Sequence, residues 1–284
     1  LGWCKSKLKK SYLLKSSAIV TLLTMLTFSV FTVRSAQSSL FAPSWLKEGT
    51  YAEYIFESGT VLLNNNTSLL GFDVVNYVDA AFRWECVDLN DTVAKLKVTL
   101  GFTEIERNGK PAEQNETKNL TSEVYVNTVS RAVYLQNGTL IGTTHLWLPA
   151  NPTVDDEIVI WDVPPDKITL KIENLTQAFT QTPQGRQRAF MVRGPGKNGY
   201  LALICDFDTG VTTDGLTDDE PTLTTLLGVQ NLSYGGIMLF ADTNIDLGPS
   251  ENQFDIQTLL PIVAVIAAFA IIFVTVYMRR RKKR

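Results

Sequence analysis

From Thr258 to Met278 the chain runs for 21 residues without a charge, and six consecutive cations, Arg279 to Arg284, follow at once. A helix of that length rises about 31 Å, which matches a hydrocarbon core of roughly 30 Å. Pro261 falls in the first turn, where a missing N–H costs little, and Tyr277 sits where an interfacial aromatic belongs. A helix buried in a soluble core would not explain so abrupt a change from apolar to cationic. The pattern predicts a transmembrane helix over 258–278 and a basic cytoplasmic tail over 279–284, with everything before the helix outside the cell. Ala264 and Ala268 have the small-residue spacing that helix pairs use.

The other end addresses a membrane as well. A lysine-rich stretch through Lys15 precedes the apolar run Ala18 to Val33, and the small residues Ser35, Ala36, Ser38 and Ser39 follow. That order reads as a signal peptide or an uncleaved signal anchor over 1–38. Either one exports the residues after it. The Gly248-Pro249-Ser250 stretch then makes 247–257 a polar stalk above the membrane, beneath an exported domain over 40–246.

Between these ends, 36–278 holds 29 acidic and 14 basic residues, a net charge of −15 that the whole-chain value of −3 conceals. Such a surface repels phosphate backbones, so nucleic acid is not an expected partner. The chain has one histidine, His145, and three cysteines, which argues against a histidine-ligated metal enzyme, a zinc finger or a haem protein. No cofactor, metal or catalytic residue set is expected.

The fold class follows from alternation. In 95–103, Leu96, Val98, Leu100 and Phe102 point one way while Lys95, Lys97 and Thr99 point the other, and 167–173 repeats the pattern. Asn137-Gly138 between 132–136 and 139–141 has the chemistry of a two-residue hairpin turn. Further strands are expected at 51–57, 70–77, 81–88, 121–126, 156–161, 187–193, 200–207 and 235–242, while 221–233 gives no clear period. The expectation is a mainly β protein, an antiparallel curved sheet, half-barrel or sandwich, plus one C-terminal transmembrane helix.

Eight Asn-X-Ser/Thr sequons lie in the exported region, beginning at Asn65, Asn66, Asn90, Asn115, Asn119, Asn137, Asn174 and Asn231. Chance placement would give between about two and three, and on an exported surface the excess reads as N-glycosylation. Cys86 and Cys205 lie in strand-like runs; a disulfide between them would close a long loop and stabilise by about 4 kcal/mol, and two buried thiols are the alternative.

Other motifs have plain structural readings. Asp208-Thr209-Gly210 copies the triplet of aspartic proteases, but no second Asp-Thr-Gly or Asp-Ser-Gly occurs to share the proton, so a turn is expected. Gly194-Pro195-Gly196-Lys197-Asn198-Gly199 satisfies a Gly-x-Gly-x-x-Gly string, yet Tyr200 begins a strand where a dinucleotide site needs a helix. Asp206, Asp208, Asp214, Asp218, Asp219 and Glu220 could offer oxygens to a hard cation, but their spacing departs from an EF-hand and reads as a solvated acidic loop. His145, Trp147 and Trp161 could line a ligand surface or pack the core.

The strings Gly138-Thr139-Leu140-Ile141-Gly142, Asp208-Thr209-Gly210-Val211 and Asp242-Thr243-Asn244-Ile245, with the terminal span and basic tail, resemble a loose group of archaeal single-pass cell-surface proteins. The resemblance implies an anchored β-rich ectodomain and assigns no activity. The function expected is that of a membrane-anchored, non-catalytic cell-surface glycoprotein. Its ectodomain would bind a protein, glycan or lipid partner or serve the envelope. Two alternatives are a carrier holding an apolar ligand on a curved β-sheet and an anchored hydrolase using Asp208.

Overall fold

A computed structural model describes residues 42–112, 117–173, 179–235 and 238–248. In chain order the strands are β1 (Tyr51–Asn64), β2 (Phe72–Asn90), β3 (Val93–Arg107), β4 (Lys110–Pro111), β5 (Thr117–Asn127), β6 (Ala132–Tyr134) and β7 (Leu140–Thr143). There follow β8 (Glu157–Val163), β9 (Asp166–Lys171), β10 (Phe179–Thr182), β11 (Gly185–Pro195), β12 (Tyr200–Asp206), β13 (Thr212–Asp214), β14 (Val229–Gly235) and β15 (Leu239–Thr243). One short 3-10 turn, Thr225–Leu227, completes the described elements. The fold is mainly β, built of curved antiparallel sheets, as alternation indicated. Among the described residues no helix is long and apolar enough to cross a membrane. The span expected at 258–278 and the signal segment lie outside the described residues.

The largest sheet runs β14-β1-β2-β3-β5-β6-β7, with β15 also pairing β1 and β4 pairing β3. β10 to β13 form a second sheet and β8–β9 a separate hairpin. The inner face of the large sheet buries Tyr54, Phe56, Phe82, Trp84, Leu96, Val98, Leu100 and Phe102. Its outer face is polar, with Arg83 reaching Glu53 and Glu85, and Lys95 reaching Glu123. Val211, Leu216 and Leu223, from the segment between β12 and β14, join the inner-face cluster, so side chains fill the concavity. A second cluster joins Ile158, Ile160 and Leu170 of β8–β9 to Phe190, Val192, Leu201 and Leu203 of β11–β12.

Several strand boundaries differ from the sequence expectation for a physical reason. The runs expected at 70–77 and 81–88 are one strand, β2, broken in alternation but not in pairing. Asp79 takes a φ of 50°, and the register against β3 shifts between Val78 and Ala81. This bulge switches the buried set from Asp73, Val75 and Tyr77 to Ala80, Phe82, Trp84 and Cys86. At the β6–β7 loop, Gly138 donates its N–H to the Leu135 carbonyl at 2.9 Å, and of the Asn137-Gly138 pair only Gly138 has a positive φ. The connection is therefore a three-residue loop with a glycine bulge, and not the two-residue turn that the dipeptide suggested. The unassigned 221–233 segment holds the 3-10 turn and β14.

Candidate functional site

The turn from β5 to β6 places a charge in the interior. Asn127 Oδ1 accepts the N–H groups of Val129 at 3.1 Å and Ser130 at 2.8 Å, and Arg131 turns inward with a left-handed backbone. Its guanidinium, 95% buried with the rest of the residue, donates to the carbonyls of Thr144 at 3.1 Å, Trp147 at 3.4 Å and Val159. Burial pushes the Arg131 pKa down to about 10, against the opposing pull of Cys205 and Glu220.

Glu220 is the acidic counterpart. It is fully buried, and its carboxylate acts only as an acceptor. Thr144 Oγ1 reaches Oε1 at 3.0 Å; Thr222 supplies its N–H at 3.1 Å and its hydroxyl at 2.6 Å; the His145 N–H completes the set. Burial raises the Glu220 pKa, and the Thr222, His145 and Thr144 donors oppose that rise. His145 itself is fully buried with Nε2 2.9 Å from the Ile160 carbonyl. Burial, helped by Arg131, lowers its pKa to about 4, so it is neutral with Nε2 carrying the proton. The carboxylate, the guanidinium and the imidazole Nε2 thus tie four chain segments together, at 131, 144–147, 159–160 and 220–222, while His145 Nδ1 is buried without a hydrogen-bond partner.

Outside this knot lies a surface cleft of about 280 Å³, lined by Trp45, Arg131, Trp147, Pro149, Asn151 and Asp208 among others. Trp45 donates its indole N–H to the Thr209 carbonyl at 2.8 Å. Its ring sits 6.0 Å from Trp147, edge-on, and 6.3 Å from Trp84. Trp147 therefore packs the core beneath the cleft, and Trp161 is covered by Lys197, whose ammonium lies 4.0 Å from the ring centroid.

The acidic residues of 206–220 are dispersed. Asp206 caps its own turn through the Thr209 N–H and hydroxyl, at 2.8 and 2.6 Å, and Asp208 is exposed and pairs with Arg188 at 3.2 Å. Asp219 accepts the N–H groups of Lys197 at 2.9 Å and Asn198 at 2.7 Å, so it holds the glycine-rich loop as a hairpin turn between β11 and β12. A Cβ at Gly196 would lie 1.9 Å from Asp219 Oδ2, so a larger residue there displaces the carboxylate that holds the loop. Gly210 is required in the Asp-Thr-Gly turn, with φ +77° and a virtual Cβ 2.0 Å from the Leu148 carbonyl. Among the described residues no group of three or more His, Cys, Asp or Glu side chains is placed to hold a metal ion.

Cys86 and Cys205 are free, buried thiols, and the bond between them that the sequence suggested is not formed. Cys86 belongs to the large-sheet core and its Sγ lies 3.4 Å from the Asp88 carbonyl; Cys205 belongs to the second cluster and touches the Thr212 hydroxyl at 3.4 Å. Burial raises the two thiols to about 11 and about 12, so both are protonated and unreactive.

The structure also sorts the sequons. Asn66, Asn90, Asn119 and Asn137 are exposed. Asn65 and Asn231 are half-buried and spend their Nδ2 groups on Asp73 at 2.9 Å and Asp218 at 2.8 Å. Asn115 and Asn174 lie outside the described residues.

Sequence reasoning missed one surface, the tip between β1 and β2. Here Leu69 and Leu70 are 105% and 70% exposed. The loop that displays them is fixed from within: Asn65 and Gly71 share a backbone bond of 2.9 Å, and Asn65 Oδ1 accepts the Thr67 N–H and hydroxyl at 2.9 and 2.6 Å. At its base Asp73 accepts Arg107 at 3.0 Å and Asn108 at 2.8 Å, while Arg107 also grips Glu104 at 2.7 Å. The adjacent leucines could have flagged the tip, but the polar residues before them made it read as an ordinary loop. No family model, curated protein or solved structure matches this chain.

Proposed function

We propose that this protein is a membrane-anchored cell-surface glycoprotein whose β-rich ectodomain binds a partner without catalysis. The proposed anchor is the 258–278 apolar segment with its basic tail. The observation that carries the binding role is the Leu69–Leu70 tip. A loop braced at its base by the partly exposed Arg107 on the buried carboxylates of Asp73 and Glu104 displays two bare leucines, and preorganised apolar display is what an anchoring contact needs.

Its placement supports the same reading. Gly49 and Asn244 meet beside Tyr51, where Asn244 accepts the Tyr51 N–H at 3.0 Å and donates to the Gly49 carbonyl at 2.8 Å. The tip lies beyond the other end of β1, up to roughly 40 Å away along the strand. The side chains filling the concave face favour surface binding over carriage of an apolar ligand within the sheet. Asp208, paired with Arg188, gives little support to an anchored hydrolase.

A photo-reactive residue at position 70 of the full-length chain tests this on intact cells. The reading expects a discrete cross-linked adduct that Leu69→Ser weakens, and digestion of the ectodomain by added protease. A protected ectodomain would overturn the topology, and an accessible one without an adduct would overturn the binding role.

A further inference from the structure

The sequon at Asn119 stands on an open sheet edge. β5 pairs with β3 along its length, from Val93↔Asn127 to Thr103↔Thr117, and Thr128 donates its N–H to the Thr92 carbonyl at 2.8 Å in the same register. Bonded and non-bonded pairs alternate in an antiparallel ladder, so the even-numbered residues of β5 bond to β3. Thr117, Asn119, Thr121 and Glu123 therefore turn their backbone N–H and C=O groups outward. β6 takes up only Tyr125 and Val126. Among the described residues no backbone group bonds to the outer side of those four, and the nearby 3-10 turn, Thr225–Leu227, makes none either. The four side chains are all exposed on the convex face.

The opposite edge of the same sheet, β14, is treated differently. Tyr234 donates to the Leu216 carbonyl at 3.0 Å and Asn231 to Asp218 at 2.8 Å, so the 216–218 segment lies along that strand. Side chains of β14 are thus held by neighbouring chain, whereas Thr117 to Glu123 present eight backbone groups without a described backbone partner and with no proline among them. An open edge of that length is a template for a second copy.

We propose that a glycan on Asn119 guards this edge, and that what it excludes is β5 of another copy of this chain. Outward-facing residues pair with outward-facing residues, and the two-fold antiparallel register that pairs all four of them sets Asn119 of one copy opposite Thr121 of the other, with Thr117 opposite Glu123. The two Asn119 side chains then share one face as diagonal neighbours, about 7–8 Å apart, where two glycan trees cannot both fit. The proposal rests on the glycoprotein reading and extends it to the regulation of self-association.

The test uses the full-length chain from its own membranes, held in detergent, with sequon occupancy read by peptide mass and assembly by light scattering. Asn119 is expected to carry a glycan in a monomeric protein, and Asn119→Gln to double the particle mass. Adding Thr121→Pro to that variant should restore the monomer, because the Thr121 N–H faces outward and β3 does not need it. A bare Asn119 beside glycans at Asn66, Asn90 or Asn137 would overturn the guard and leave the glycoprotein reading intact; bare sequons throughout would overturn both. A monomeric Asn119→Gln variant, or an assembly that Thr121→Pro does not dissolve, would also overturn the guard.

Discussion

Glu220→Ala should be among the most damaging single substitutions in the ectodomain. The carboxylate accepts donors from Thr144, His145 and Thr222, all in a region without solvent. Truncation strands those donors, each of which costs about 1–3 kcal/mol when left unsatisfied. It also removes the negative charge that offsets the burial of Arg131. Breaking a buried charge partnership typically costs 3–5 kcal/mol, and the two penalties overlap, so a loss of about 4 kcal/mol is expected. For a domain of this size that is a fall in Tm of roughly 10 °C. Glu220→Gln keeps the shape but turns an amide donor toward existing donors, and should fall about halfway. Thermal and urea unfolding of the full-length chain, followed by tryptophan fluorescence, reads both. A Glu220→Ala variant within 1 kcal/mol of the parent would show that the knot contributes nothing to stability and refute this account of it.

Three further perturbations have definite signs. His145 is held near pKa 4 against an ordinary 6.5, so between those values the unfolded chain takes a proton that the folded one refuses. Its contribution is complete above pH 6.5 and is lost as pH falls toward 4, by about 3 kcal/mol in all, whereas the raised Glu220 pKa works in the opposite direction. The readout is therefore the difference between parent and His145→Gln, which should lose less stability on acidification; parallel pH profiles would contradict it. Gly210→Ala should cost 3 kcal/mol or more (about the sum of a positive-φ penalty and a backbone clash), and a change below about 1 kcal/mol in urea unfolding would contradict the turn geometry. Asp208→Asn removes only an exposed pair with Arg188 and should shift stability by less than about 1 kcal/mol, a larger loss meaning that Asp208 does more than the structure gives it.

How much of this was legible beforehand depends on whether a residue's role is local. Leu96, Val98, Leu100 and Phe102 announce β3 because one buried face with period 2 is written directly into the chain. The turn roles of Gly210 and the glycine-rich loop were legible for the same reason. The continuity of β2 was not, because the bulge at Asp79 reverses the pattern on which strand reading depends. Glu220 read as one more solvated acid among its neighbours; its burial is set by Thr144 and His145, some 75 residues away in sequence. The same holds for the cysteines, which pack in two different clusters. The distinction between Asn119 on a bare edge and Asn231 against a covering segment likewise depends on long-range pairing.

An exported, glycosylated ectodomain on a membrane anchor must carry its sugars as covalent mass. The most direct measurement is the intact mass of the full-length chain purified from its own membranes, before and after enzymatic or chemical removal of N-glycans. The proposed glycoprotein is expected to show excess mass in glycan-sized steps that disappears on removal and maps to exposed sequons such as Asn66, Asn90 and Asn137 ahead of Asn65 and Asn231. A mass equal to that of the bare polypeptide, unchanged by the treatment, would contradict it.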